Sequence, residues 1–382
     1  MKLSFATAAL ASLAVVSAAP VVEQRDLTLG APRITFVDQV ASLVPGTTNT
    51  WHVNFQGYLT TPVKDTAVSA VFSVLKFLTG GKKSQIAILE ERMQWFAMAG
   101  IPLSKVTVTL PASAGGNKVT LPGTTDQTGK FETSIDVPVD LAQEPDVTLD
   151  YKNVPILPIT EQVGGKAYFV QQDGVSVISD VDDTIKISEV NSRTALLRHT
   201  FLLPFEPVAG MSAAYNNIKK ELTAKNLAPS FHYLSRSPWN LFKGLEKFSR
   251  DFAFPAGQWL LRDLSLLDLS ALEFLVGGKD YKVERIREHV ALFPKRRLIM
   301  IGDSTEMDAE SYGEIARSNP NNILCIAIRL VTGVDAEEEK GEIAPARFAA
   351  AFKGIPTTKW FTFTDAKQLN AADLAAGNCR RG

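Results

Sequence analysis

Two rhythms of apolar positions divide the chain. Thr50-Trp-His-Val-Asn-Phe-Gln-Gly57 and residues 106–110, 118–121, 131–137 and 147–151 alternate apolar with polar side chains. Period-two alternation predicts half-buried strands, and the Gly/Pro/Asp-rich stretches between them, such as 125–130, predict tight turns. Within this region the spacing turns helical. Val68, Val71, Phe72, Leu75 and Leu78 share one face, and after the Gly80-Gly81 break Ile86, Leu89, Met93 and Phe96 share another, up to about Gly100. Residues 21–45 are polar and Pro-containing and read as an N-terminal arm. The pattern predicts a β-rich, sandwich-like domain over 19–160 with two inserted helices near 66–98.

From Tyr168 onward, strands and helices alternate instead. Val175, Val177 and Ile178 read as a short, fully buried strand of the kind found inside parallel sheets. A long connection follows with a helix over 211–227, then a strand at 231–235 and a helix over 239–252. A strand at 258–262, a helix over 281–292, and strands at 297–301 and 322–330 complete the series. Such alternation predicts an α/β domain, a doubly wound parallel sheet over 165–370, with 371–382 as a polar tail.

The N-terminus changes the picture of where the chain works. Lys2, an Ala/Leu/Val-rich run to Val16 and small residues to Ala19 form a signal-peptide pattern, with cleavage expected after Ala18. The expected destination is the secretory pathway, secreted or lumenal. No apolar run reaches the ~18 residues of a membrane span. The helices near 66–98 are poor in Lys and Arg for interfacial helices, so packing on their own domain is expected, with peripheral membrane contact a lesser expectation. Hydrophobic residues make up 45% of the 382 residues and charged ones 21%, a globular composition. A net charge of −1 gives no general reason to bind nucleic acid. Cys325 reads as a buried small hydrophobe and Cys379 as an exposed tail residue, with no bridge expected between them. There is no Asn-x-Ser/Thr sequon. Nothing in the sequence indicates an oligomeric state.

The chemistry concentrates at strand ends. Asp180 and Asp182 follow the apolar strand at spacing i, i+2, and two carboxylates that close need a cation or a shared proton. Phosphoryl transfer needs a nucleophile, charge neutralisation and a proton donor. Asp180 is the candidate nucleophile, Asp182 the acid/base and Thr184 a hydrogen-bonding support for Asp182. Asp183 reads as a helix N-terminal acid. Ser235 closes the second strand as a candidate grip on a phosphate oxygen, with Ser237-Pro238 opening the next helix. Lys282 is the candidate phosphate-neutralising cation, with Lys279, Arg285 and Lys295 as competitors. Ile301-Gly-Asp-Ser-Thr-Glu-Met-Asp308 delivers Asp303 and Asp308 to the same edge. Mg²⁺ would find hard oxygen ligands in Asp180, the main-chain carbonyl of Asp182, Asp303 and Asp308.

In order and spacing, Asp-x-Asp-x-Thr, then Ser, then Lys, then Gly-Asp-x₄-Asp resembles the haloacid dehalogenase superfamily of phosphotransferases. The longer strings 174–186, Leu234-Ser-Arg-Ser-Pro-Trp-Asn-Leu241 and Ile301-Gly-Asp-Ser304 with Asp308 more narrowly resemble the actin-patch-associated phosphatidate phosphatases. Thr200-Phe201, Val208-Ala-Gly-Met211 and Tyr312 also fit. The resemblance implies Mg²⁺-dependent removal of phosphate from phosphatidate, giving diacylglycerol. Two positions depart from the resembled strings. Arg236 stands where Asn is expected, and Thr305-Glu306 where Gly-Gln is expected.

Other classes fare worse. An EF-hand beginning at Asp180 would need Gly at its sixth position and Glu at its twelfth, which here are Ile185 and Asn191. Cys325 lies in a strand rather than a phosphate-cradling loop, and no Walker-type Gly-Lys-Ser/Thr occurs. A phosphatase acting on a soluble ester and a catalytically idle lipid- or partner-binding protein remain as alternatives. The complete acidic set argues against idleness, and an apolar mouth near Phe201, Phe205, Met211 and Trp239 would favour lipid.

Overall fold

The computed structural model describes residues 31–64, 66–140, 148–154, 159–263 and 280–379. The expected signal peptide over 1–18 lies outside them. The first sheet is built on β3 (Thr50–Pro62), a 13-residue strand that pairs antiparallel with β1 (Arg33–Val37), β2 (Gln39–Leu43), β4 (Met98–Gly100) and β7 (Lys130–Pro138). A smaller antiparallel sheet joins β5 (Thr107–Thr109), β6 (Lys118–Thr120) and β9 (Lys152–Asn153). β8 (Thr148–Asp150), β10 (Glu161–Val163) and β11 (Lys166–Val170) complete the first sheet. α1 (Thr66–Leu78) and α2 (Lys83–Met93) interrupt it, with α2 ending short of the expected Gly100.

Two expectations change here. Residues 33–43 are not an arm but two strands, and their side chains are buried on both faces. A strand covered on both sides lacks the alternation that reveals a half-buried one. β11 pairs in parallel with β2, so it belongs to the first sheet and not to the α/β region.

The second region is α/β, as expected, with a six-stranded parallel sheet. Its strands are β12 (Val175–Asp180), β13 (Pro229–Pro238), β14 (Gln258–Arg262), β15 (Arg297–Asp303), β16 (Ile323–Arg329) and β17 (Trp360–Phe363). The spatial order is β14-β13-β12-β15-β16-β17. Helices cover both faces. α3 (Arg193–Phe201), α4 (Met211–Ala224) and α5 (Phe242–Asp251) pack with Val175 and Val177 of β12. α6 (Asp280–Leu292), α7 (Asp308–Ser318) and α9 (Pro345–Ala351), which follows α8 (Ala336–Glu342), pack with Ile178.

The regions share one apolar core. Val37, Tyr58, Val68, Leu75 and Phe96 cluster with Phe201 and Trp239, Tyr58 stacks on Trp239 at 4.0 Å, and Asn240 Nδ2 donates to the Trp95 carbonyl at 2.7 Å. The segment read as a polar tail contains α10 (Ala371–Ala376), which packs on α4 and β16. That return brings Cys379 inside, where it forms a disulfide with Cys325 of β16. The expected exposed thiol is therefore corrected.

Candidate active site

β12 leads to β13 and β14 on one side of the sheet and to β15, β16 and β17 on the other. The chain reverses direction of travel across the sheet at this strand, and ligands of open α/β sheets bind beside such a point, at the carboxyl ends. There Asp180 of β12, Asp303 of β15 and Asp308 of α7 converge, each with a carboxylate oxygen within 4.8 Å of the others. All three are buried. Gly302 permits this. A Cβ built on it would lie 2.4 Å from Asp308 Oδ2, which accepts from the Asp303 N–H at 3.1 Å.

Lys282, on α6, enters the cluster. Its Nζ lies 2.6 Å from Asp180 Oδ1, donates to Asp308 Oδ1 and lies 2.6 Å from Glu306 Oε2. The Glu306 contact is ionic without the alignment of a hydrogen bond. Of the competitors, Lys295 is exposed, Arg285 pairs with Glu288, and Lys279 lies outside the described residues. Arg236 supplies the next cation, its Nη2 donating to Glu306 Oε1 at 2.7 Å. Four carboxyl groups (Asp180, Asp303, Glu306 and Asp308) thus meet two cationic side chains, a deficit one divalent cation would cancel.

That imbalance sets the proton affinities. Burial first, then Asp308 and Glu306 acting against Lys282, hold the Asp180 carboxyl well above the ordinary range. Asp303 is pushed up to about 8 by burial and by Asp308 and Glu306. Asp308 is also raised, chiefly by burial. Asp180 Oδ2 is buried and accepts no hydrogen bond. An orphaned hard oxygen beside two further carboxylates fits Mg²⁺ as a ligand set.

Asp182 is different. Its Oδ1 accepts from Ser188 at 2.7 Å and lies 2.8 Å from Lys186 Nζ, and its Oδ2 accepts from Ser235 at 2.8 Å and Ser237 at 3.3 Å. Burial alone would raise this carboxyl, but Lys186 and the hydroxyl donors outweigh it and hold it down at about 2.

Several roles shift from expectation. Thr184 donates to Asp303 Oδ2 at 3.1 Å, not to Asp182. No helix follows Asp183. It has a φ of 56°, and its carboxylate instead accepts the N–H groups of Ser188, Glu189 and Val190 at 2.7–2.9 Å, closing the loop after β12. Ser235 and Ser237 lie where the pairing of β13 with β14 shifts register, a bulge that aims both hydroxyls at Asp182. Ser237 caps no helix. Lys186 and Ser188 were missed. Their only sequence signal is proximity to Asp182, and a Lys four residues from an acid is usually a surface residue.

Of the expected mouth, Phe201, Met211 and Trp239 are buried in the core. Phe205 alone lines an open cleft of about 400 Å³, together with Trp95, Leu241, Phe248 and Phe252. Its ring lies 3.8 Å from Arg92 and 4.9 Å from Lys186 Nζ, so the cleft adjoins the side chain that holds Asp182.

Residues 175–330 match the family model described as "Phosphatidate phosphatase APP1, catalytic domain". The Saccharomyces cerevisiae protein named phosphatidate phosphatase APP1 is 31% identical over 255 residues, covering 63% of this chain and 40% of that protein. An uncharacterised Schizosaccharomyces pombe protein is 28% identical over 164 residues, covering 42% of this chain and 26% of that protein. The chain therefore spans well under half the length of either relative. Among solved structures, a carbohydrate esterase aligns over 86% of this chain and 99% of its own at 9% identity and a TM-score of 0.20, a likeness that carries no argument. Over residues 175–330 this chain is therefore similar to the catalytic domain of the APP1 phosphatidate phosphatases.

Proposed function

We propose that this chain is a Mg²⁺-dependent phosphatidate phosphatase of haloacid dehalogenase type, converting phosphatidate to diacylglycerol and phosphate through an aspartyl-phosphate on Asp180. The observation that carries this reading is the convergence of Asp180, Asp303 and Asp308 with Lys282 at the carboxyl edge, within the segment that matches the family. Mg²⁺ held by Asp180, the Asp182 main-chain carbonyl, Asp303 and Asp308 would neutralise charge on the phosphoryl oxygens and favour an ionised Asp180.

Asp180 then attacks phosphorus, and the alcohol oxygen of the lipid leaves with a proton from Asp182. Water attacks the acyl phosphate, gives its proton to Asp182, and phosphate departs as the Asp180 carboxylate is regenerated. Lys186, Ser188 and Ser235 hold Asp182 as a carboxylate, the form needed for the second step. Protonation of Asp182 for the first step must overcome Lys186. Lys282 binds the phosphate charge, and Thr184 fixes Asp303.

The lipid component of the reading is supported by the apolar cleft at Phe205, and the phosphatidate component by the named yeast relative. The cleft and the exposed Phe77 of α1 make peripheral membrane contact part of the proposal. No helix among the described residues is long and apolar enough to cross a membrane. A secretory, oxidising destination is supported by the Cys325–Cys379 disulfide.

Phosphate release from phosphatidate micelles and from a panel of soluble phosphate esters, each with Mg²⁺ and with chelator, tests this function. Mg²⁺-dependent release that prefers phosphatidate is expected. Release from soluble esters alone would remove the lipid. Release from none would leave a binding protein.

A further inference from the structure

The two sequence departures noted above meet in the fold. Arg236 and Glu306 lie 70 residues apart, yet Arg236 Nη2 donates to Glu306 Oε1 at 2.7 Å, with both side chains buried. Glu306 Oε2 lies 2.6 Å from Lys282 Nζ, which lies 2.6 Å from Asp180 Oδ1. The pair is thus wired into the acid cluster, and Arg236 is within electrostatic reach of Asp180 and Asp308.

The guanidinium is incompletely used. Arg236 Nε is buried and donates to no group. A buried donor left unpaired costs about 1–3 kcal/mol, a cost relieved when a ligand supplies the acceptor. Asp180 Oδ2, the acceptor left unpaired in the same site, does not satisfy this donor, since neither atom has a hydrogen-bond partner. The planar guanidinium fork suits phosphate oxygens, and the bulge at Ser235–Ser237 presents Arg236 beside the strand end where phosphate is expected to sit. Glu306 is itself held in place, because Arg347 donates to the main-chain carbonyls of Ser304 and Glu306.

We propose that Arg236 is a phosphate-binding residue of this site, contributing a second cation beside Lys282 to the phosphoryl group of the bound monoester, with Glu306 as the carboxylate that positions it. This rests on the phosphatase reading of the same site.

The test is calorimetric binding of inorganic phosphate in the presence of Mg²⁺, with KM and kcat for phosphatidate measured in parallel. Arg236→Asn alone leaves Glu306 short of a partner and is expected to lose stability, so Arg236→Asn/Glu306→Gln is the diagnostic variant and Arg236→Lys the conservative one. The double variant is expected to melt within a few degrees of wild type, to bind phosphate about 10- to 100-fold more weakly, and to raise KM more than it lowers kcat. Arg236→Lys should recover part of the phosphate affinity, since it keeps the charge and loses the fork. Wild-type phosphate affinity in the double variant would overturn the proposal. So would an unchanged KM with a fall in kcat, which would make the pair a scaffold for Lys282. If wild type turns over no ester, the phosphatase reading fails, while the phosphate titration still decides the role of Arg236.

Discussion

Asp38 lies at the corner between β1 and β2 with its carboxyl buried against the start of β11. Its Oδ1 accepts from the Gly165 and Lys166 N–H groups at 3.3 and 3.2 Å, the Tyr168 hydroxyl lies 3.4 Å from Oδ2, and its carbonyl accepts from Trp259 of β14. Burial raises this carboxyl from 3.8 to about 7, with Lys166 opposing and Glu246 adding to the rise. Between these two values the folded state holds a proton that the unfolded state has released, so stability falls as pH rises through that window and is flat above it. Asn would keep the acceptor and remove the charge. Asp38→Asn should therefore match wild type near pH 4 and exceed it increasingly up to pH 7, by about 1.4 kcal/mol per unit at most. Urea unfolding of both proteins at pH 4.5 and 8 measures this, and equal differences at the two pH values would contradict it. At this scale the candidate catalytic acids were legible because Asp180 and Asp303 each end a buried, mainly apolar strand. The partner of Thr184 was not legible. A hydroxyl can reach either neighbour, and the choice is made by the left-handed turn at Asp183, which no local pattern announces.

Among the elements, β12 to β16 of the second region and α4, α5 and α6 follow from apolar runs and helical spacing, whereas α7 and β17 were not anticipated. α10 does not. It is six residues long and buries only Leu374 and Ala375, too little to register as a periodic face. Its order comes from the Asn370 cap, which accepts from the Ala372 and Asp373 N–H groups, from packing on α4, and from the disulfide behind it. β1 and β2 were hidden for the opposite reason, since burial on both faces erases alternation. The disulfide closes a loop of 54 residues in sequence separation. Cys379→Ser should lower stability by about 2–4 kcal/mol, chiefly by freeing the unfolded chain, while leaving the acid cluster intact. Chemical denaturation with and without reductant checks it. An unchanged midpoint would mean the C-terminal return is held by packing alone.

For the molecule as a whole, the β-rich region and the α/β region are joined by one core rather than by a linker. Tyr58 stacked on Trp239 and Asn240 bonded to Trp95 place the β-rich region directly behind the motif that carries Ser235. The sequence distinguishes a β-rich from an α/β region, because period-two and mixed α/β patterns differ. It placed the division too early, since β11 is completed by β2, more than a hundred residues upstream, and long-range pairing leaves no local trace. The proposed reaction depends on a single atom of this assembly becoming covalently linked to phosphorus. The most direct measurement is rapid acid quenching of the protein with phosphatidate and Mg²⁺, followed by mass analysis of the peptide containing residues 175–186. The peptide is expected to gain one phosphoryl group, mapped to Asp180, absent with chelator and absent in Asp180→Asn, whose fold is retained. Turnover with no phosphorylated peptide, or normal turnover by Asp180→Asn, would contradict that reaction.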